Sequence, residues 1–478
     1  MLSHSRIATA FACLAVSASA LAQGGAPAPG VAAPAQPPLP TPSGLPMTID
    51  FAADPVLRLR LEQAPYDRFR TIVAGAVASH PGTLESAAAE DEARGGLEEA
   101  EEARLPTIDL SLTSYRVLSR EFSDDPFNII ERSRPRQRTD ALANINQTLF
   151  DFGATTQRIS AAGARLRAAG ADLEQAADRV ALTAVAAWYD LFAFRALVAL
   201  SEAFVTSQRD LRAAVEIRIR EGVSAEGDLP RIDSYIAQAE TRLARFRRQR
   251  ASAEARFAET TGLPPPAAIE RAPIPGPTVT SRDEAALAAG ESAAARSARA
   301  VADAAARDAQ AARADRLPVL SAGIDAGRYG VFENDRDYDI RGRVALRYRI
   351  GGGADARASQ YEARARAADA RATRIREEAE RDAAIAWSDV RALEQQLEAL
   401  EAAYVASRRS RDVIAERFRS ARGTVFDVVA AEDAYFESAT AYIQALTELD
   451  AARYVLLSRM GRLLDALQID ADRLRGES

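Results

Sequence analysis

The sequence predicts a mainly α-helical, duplicated chain with a small transmembrane β-barrel portion. Three observations carry this: an internal repeat, two proline-free helical runs of unusual length, and short segments of strict apolar/polar alternation. The repeat is clearest around the only two tryptophans. Ala187-Trp188-Tyr189-Asp190 returns as Ala386-Trp387-Ser388-Asp389, an offset of 199. At the same offset Arg212, Arg218 and Arg220 fall on Arg411, Arg417 and Arg419, Asp228 on Asp427, and Gly153 on Gly352. A register held without a gap from 153 to 228 marks a duplication. Upstream, Arg104-Leu105-Pro106 matches Arg316-Leu317-Pro318 at an offset of 212. The change of offset between these anchors places a longer loop in the first half, in the charged stretch 122–136.

Each half reads as helix, strand, loop, strand, long helix, break, helix. The run 154–221 has no proline, is rich in Ala, Arg, Leu and Glu, and keeps its apolar residues at helical spacing. Unbroken, it would extend about 100 Å at 1.5 Å per residue. Its counterpart, 354–420, is equally free of proline. Helices of that length suit a coiled-coil assembly rather than a globular core.

The strands follow a period of two. Val344, Leu346, Tyr348 and Ile350 alternate with Arg343, Ala345, Arg347 and Arg349. Ile108, Leu110 and Leu112 alternate with Asp109, Ser111 and Thr113, and Ile145 and Leu149 with polar neighbours. Such alternation gives a sheet one apolar and one polar face. An amphipathic hairpin packed on the helices would read the same way. Four strands in symmetric pairs, each about as long as a membrane strand requires, favour the barrel on an exported chain. The apolar set then faces lipid, and Arg343, Arg347 and Arg349 are barrel-lumen candidates, a positive belt favouring anions.

Export is read from the N-terminus. Arg6 precedes an apolar stretch from Ile7 to Ala20, and Ala20-Leu21-Ala22 supplies a small-x-small cleavage site. A short membrane anchor is the alternative, but the run is short for a span. The single cysteine, Cys13, lies inside that run, which leaves the expected mature chain without a thiol, a disulfide or an acylation site. The organisation predicted is a signal peptide over 1–22, a Pro/Ala-rich linker over 23–46, repeats over 47–266 and 281–466 joined by a Pro-rich linker at 267–280, and a charged tail over 467–478.

Composition argues against catalysis and nucleic acid. The formal net charge is −7, with 61 basic and 68 acidic residues, and every basic residue is arginine. Asp151-Phe152-Gly153 spells a kinase triplet without its companion loops, and Gly351-Gly352-Gly353 lacks the Lys-Ser/Thr of a phosphate loop. His80 is the only histidine expected after cleavage, so a histidine metal site or Ser-His pair is not expected. Neither enzyme activity nor a cofactor is predicted.

A signal peptide, two repeats, and strand pairs feeding very long helices resemble the TolC-like outer-membrane efflux family. Gln147-Thr148-Leu149-Phe150-Asp151-Phe152-Gly153 is similar to the family's strand-to-helix junction, repeated more loosely at 346–353. Gly222 to Asp228, and Ala421-Arg422-Gly423-Thr424-Val425-Phe426-Asp427-Val428, are similar to its turns at the periplasmic tip. The resemblance implies a homotrimer whose 12-stranded barrel, four strands per chain, sits in outer-membrane lipid above a helical tunnel. It implies the exit duct of a tripartite machine for type I protein secretion or small-molecule efflux. The partners implied are a periplasmic adaptor (a membrane fusion protein) and an inner-membrane ABC or RND pump. It also implies a periplasmic gate, for which Asp228, Asp427, Arg422 and Phe418 are the candidates. The sequence departs from the family at the tip glycine, which is Ala421 here, and at a second tip aspartate, which is Ala430. The bland reading of either aspartate is a helix cap. The alternative function is a pore-less structural coiled coil of the periplasm or cell surface.

Overall fold

The computed structural model describes residues 49–474, apart from 51–52, 122–126, 128, 130–132, 274–278, 334–336 and 421. The expected signal peptide, all of the Pro/Ala-rich linker, much of the long first-half loop and Ala421 lie outside these residues.

The first repeat contains α1 (Tyr66–Ser79), α2 (Pro81–Glu102), β1 (Thr107–Arg116), β2 (Gln137–Phe150), α3 (Ala154–Arg220) and α4 (Asp228–Thr261). The second contains α5 (Arg282–Ala289), α6 (Ala293–Ala314), β3 (Val319–Arg328), β4 (Tyr338–Arg347), α7 (Ala354–Arg419) and α8 (Val425–Arg459), followed by the short α9 (Leu463–Ala466). The duplication is real in space. Helices α2 and α6 keep the upstream offset at both ends, Pro81 matching Ala293 and Glu102 matching Ala314. Helices α3 and α7 end at equivalent arginines, Arg220 and Arg419.

Local chemistry sets the boundaries. Pro81 stands at the first turn of α2, whose Gly82 N–H donates to the His80 ring nitrogen at 3.0 Å. At the strand-to-helix junction the Asp151 carboxylate accepts from the N–H groups of Gly153 (3.0 Å) and Thr155 (2.7 Å) and from the Thr155 hydroxyl (2.6 Å). The Asp-Phe-Gly triplet therefore starts a helix. Gly153 sits at φ 87°, where a side chain would be strained. In the second repeat Gly353 holds this position at φ 77°, one residue later than the offset predicts.

The four strands form one antiparallel sheet in the order β1-β2-β3-β4. The helices attached to them pack in the same order, α2 on α3, α3 on α6 and α6 on α7. Sheet and helical layer are thus one continuous curtain, with β1 and α2 at one edge and β4 and α7 at the other. Below it, α4 packs on α3 and α8 on α7 as two long hairpins.

The main core sits where the hairpins meet the curtain, around Trp188, Leu191, Leu197, Tyr404, Tyr435 and Tyr442. The centre of α3 is apolar enough to cross a membrane by composition, but 67% of that window is buried in this core. The Pro-rich junction between the repeats is more than a break. Ile269, Arg271 and Ala272 are buried, and the Glu270 carbonyl accepts from the Trp188 indole at 3.0 Å. Arg271 grips Asp450 of α8 through two nitrogens, one at 2.8 Å, and donates to the Arg60 carbonyl. A second strap is formed by Asp54, which accepts from Tyr404 at 2.9 Å and from Arg408, and also caps Val56 and Leu57.

Asp178 of α3, bonded by the Ser458 hydroxyl, marks a pH-dependent point in the same region. Burial pushes its carboxyl up to about 6, against the opposing pull of Ser458 and Arg459. The unfolded carboxyl titrates near 3.8, so between these values the folded state holds more protons. Its contribution to stability therefore falls as pH rises from about 4 to about 6. Subtracting melts of Asp178→Asn from those of the parent across this window should show that slope. A flat difference would refute it.

Candidate functional site

Two regions carry the functional expectations: the sheet and the tips of the hairpins. In the sheet, register assigns the faces. Ile108 pairs with Ile145, Ile145 with Ile324, and Ile324 with Gly342. Two positions along, Leu110, Ala143, Ala326 and Ile340 lie in line. The same face carries Leu112, Ala141, Val344 and Leu346. Leu110 (77%), Val344 (73%) and Leu346 (70%) are largely exposed. A contiguous apolar face of this size, bare on a single chain, requires a partner that is itself apolar.

The opposite face carries Asp109, Thr113, Asn144, Asn146, Asp325, Arg341, Arg343 and Arg347. Arg343 and Arg347 therefore stand opposite the apolar set, as the alternation predicts. Arg349 does not, because β4 ends at Arg347 and residues 348–350 lead out to the glycines. Acids also lie beside the expected positive belt. Asp325 lies 3.9 Å from Arg343, Arg341 pairs with Asp339, and Arg138 with Asp140 at 2.8 Å. The polar face is thus mixed in charge, while Arg347 makes no ion pair among the described residues.

At the tips, Val215, Ile232, Phe418, Val425, Val428 and Val429 form a small core of their own. Phe418 is buried there, with the Arg218 guanidinium 4.3 Å over its ring and donating to its carbonyl at 2.8 Å. Phe418, a periplasmic gate candidate in the sequence, thus packs inside this tip core, where an aromatic ring gains from burial. Arg231 stacks likewise on Phe426 at 4.3 Å. These two arginines, which join the tips of the two repeats, were not among the predicted site residues. Arg218 was visible only as a repeat match.

Asp427 closes a capping box. It accepts from the Thr424 hydroxyl (2.8 Å) and N–H (3.2 Å), and its own N–H donates to that hydroxyl. Hydrogen bonds from Thr424 and the nearby Arg417 hold its carboxyl below the usual range. Asp228 stands in the first turn of α4 without such a box. Arg422 is exposed and, among the described residues, makes no ion pair within the chain. The cation acting on Asp427 is Arg417 rather than Arg422. The local roles differ because α8 begins two positions earlier, relative to the repeat, than α4.

A four-stranded sheet with one bare apolar face, continuous with a curtain of helices, is the plan of an outer-membrane channel subunit. A family model described as outer membrane efflux protein matches residues 74–263, the greater part of the first repeat. Over those residues the chain is similar to that family of outer-membrane channels. Among solved structures, the outer membrane protein VceC from Vibrio cholerae is similar at TM-score 0.70 and 20% identity, covering 83% of this chain and 96% of that one. The Campylobacter jejuni outer membrane channel CmeC is similar at 0.70 and 14%, covering 83% and 87%. The open state of the Neisseria gonorrhoeae MtrE channel is similar at 0.68 and 16%, covering 83% and 89%. At these identities the likeness establishes the fold. No curated protein sequence matches the chain. The first repeat is thus similar to outer-membrane efflux proteins, and the solved channels share the fold of most of the chain.

Proposed function

We propose that three copies close edge to edge into a 12-stranded barrel and a helical tunnel. The duct would be the outer stage of a tripartite export machine, and it acts as a conduit without catalysing a reaction. The observation that carries this reading is the shared order of strands and helices with both edges open. A closed barrel is the arrangement that leaves no unpaired sheet edge in lipid, and four strands per chain make three copies a natural closure. The tunnel would dock at its hairpin tips on a periplasmic adaptor served by an inner-membrane ABC or RND pump.

Asp228, Asp427 and Arg422 remain the gate candidates on this reading. Threefold assembly sets three copies of Asp427 around the narrow end, where like charges attract multivalent cations. In planar bilayers the purified protein should conduct in discrete steps, and Asp427→Ala should weaken block by trivalent cations several-fold. A variant that is blocked like the parent and merely melts at lower temperature would reduce Asp427 to its capping box.

A further inference from the structure

Within the chain, the contact between the two repeats in the helical curtain is an ion-pair ladder. Antiparallel α3 and α6 are joined by Arg158–Asp315 at 2.6 Å, Arg165–Asp308, Arg167–Asp303 at 3.9 Å, and Arg296–Glu174. The duplication makes α7 the counterpart of α3, and α2 the counterpart of α6. The contact equivalent to α3–α6 is therefore α7 against an α2. The chain's own α2 packs on α3, at the far edge of the curtain.

The residues needed for a second ladder are present: three arginines on α7, and on α2 a row of acids of which Asp91 also pairs with Arg94 of its own helix at 2.6 Å. At the repeat offset, Arg158, Arg165 and Arg167 fall on Arg357, Arg364 and Arg366. All three are exposed, and among the described residues none forms an ion pair within the chain. On the other side, Asp303 falls at the upstream offset on Asp91. The positions equivalent to Asp308 and Asp315 lie within a turn of Glu99 and Glu102. Over residues 85–102, α2 carries eight acids against the single Arg94, while residues 357–376 of α7 carry six arginines against two acids.

Burial gives a second, independent sign. From 354 to 382 only Ala358 of α7 is buried, whereas the matching stretch of α3 buries Ala161, Ala164, Ala168, Leu173 and others. One side of α7 lacks the neighbour that α3 has.

We infer that the partner for this face is a second copy of the chain, joined by an ion-pair ladder from Arg357, Arg364 and Arg366 of α7 to Asp91, Glu99 and Glu102 of the next copy's α2. The inference rests on the proposed closure and specifies the chemistry of its seam. Single exposed pairs contribute little, but three in register along each of three seams form a network that salt should weaken.

The test uses the full chain in mild detergent at low salt. Reversing the cations (R357E, R364E and R366E together) should raise the midpoint concentration for trimer formation about tenfold or more, and reversing the acids (D91R, E99R and E102R) should do the same. Combining all six reversals should bring the midpoint most of the way back. In parallel, Asp91→Cys with Arg366→Cys should cross-link between chains on oxidation, a result that survives if a reversed variant fails to fold. A trimeric parent whose charge variants assemble unchanged, and whose cysteine pair stays unlinked, overturns the seam while leaving the threefold closure intact. A parent that does not form trimers overturns the closure itself.

Discussion

Asp450→Asn lowers the stability of the protein by about 3–5 kcal/mol, the largest effect expected of a single conservative change. Asp450 is fully buried, and its carboxylate meets Arg271, itself 2% exposed, from the junction between the repeats. Arg271 is further held by the Arg60 carbonyl, so it cannot follow the lost charge into water. The asparagine variant leaves a guanidinium stranded in the core beside Tyr189 and Tyr454. Arg271→Met with Asp450→Leu removes both charges and should recover most of the loss, because paired apolar groups need no solvation. Thermal melts of detergent-solubilised protein separate the cases. A single variant melting with the parent would show that the pair is idle.

Leu110→Arg prevents stable insertion, whereas Thr113→Arg does not. Leu110 is exposed on the isolated chain, and for a water-soluble protein a charge there would improve solubility. Facing lipid, the same arginine costs about 2–4 kcal/mol near the bilayer midplane, and threefold repetition multiplies the cost per barrel. Thr113 lies on the opposite face, three positions along β1, where water and mixed charges accept an arginine. The readout is the fraction of heat-resistant trimer in the outer-membrane fraction. Equal recovery of both variants would mean that the apolar face does not meet lipid.

The parts of this fold that were legible in the sequence are those written as periodic signals. The matching surroundings of Trp188 and Trp387 revealed the duplication, and proline-free runs gave α3 and α7 almost to their ends. Alternation placed Val344 and Leu346 on one face and Arg343 and Arg347 on the other, because side-chain direction in a strand follows from position alone. What depends on distant partners was not legible. Asp325 balances Arg343 only through the β3–β4 register, and Arg271 looks like one charge in a Pro-rich stretch until Asp450 arrives from far along the chain. The tip motif made Phe418 a gate candidate, but its place in the small tip core was not legible there. Asp427 carried both readings from the start. Its capping box became visible only once Thr424 was seen to return the hydrogen bond.

On the proposed function, this curtain of strands and helices closes with two further copies of itself around a pore. Electron cryomicroscopy of the detergent-solubilised protein tests it most directly. The expected result is a threefold particle with one continuous 12-stranded barrel, β4 of each copy beside β1 of the next, leading into a single helical tunnel. Particles that are monomeric or twofold, or in which the four-stranded sheet packs against its own helices with no central opening, would contradict it.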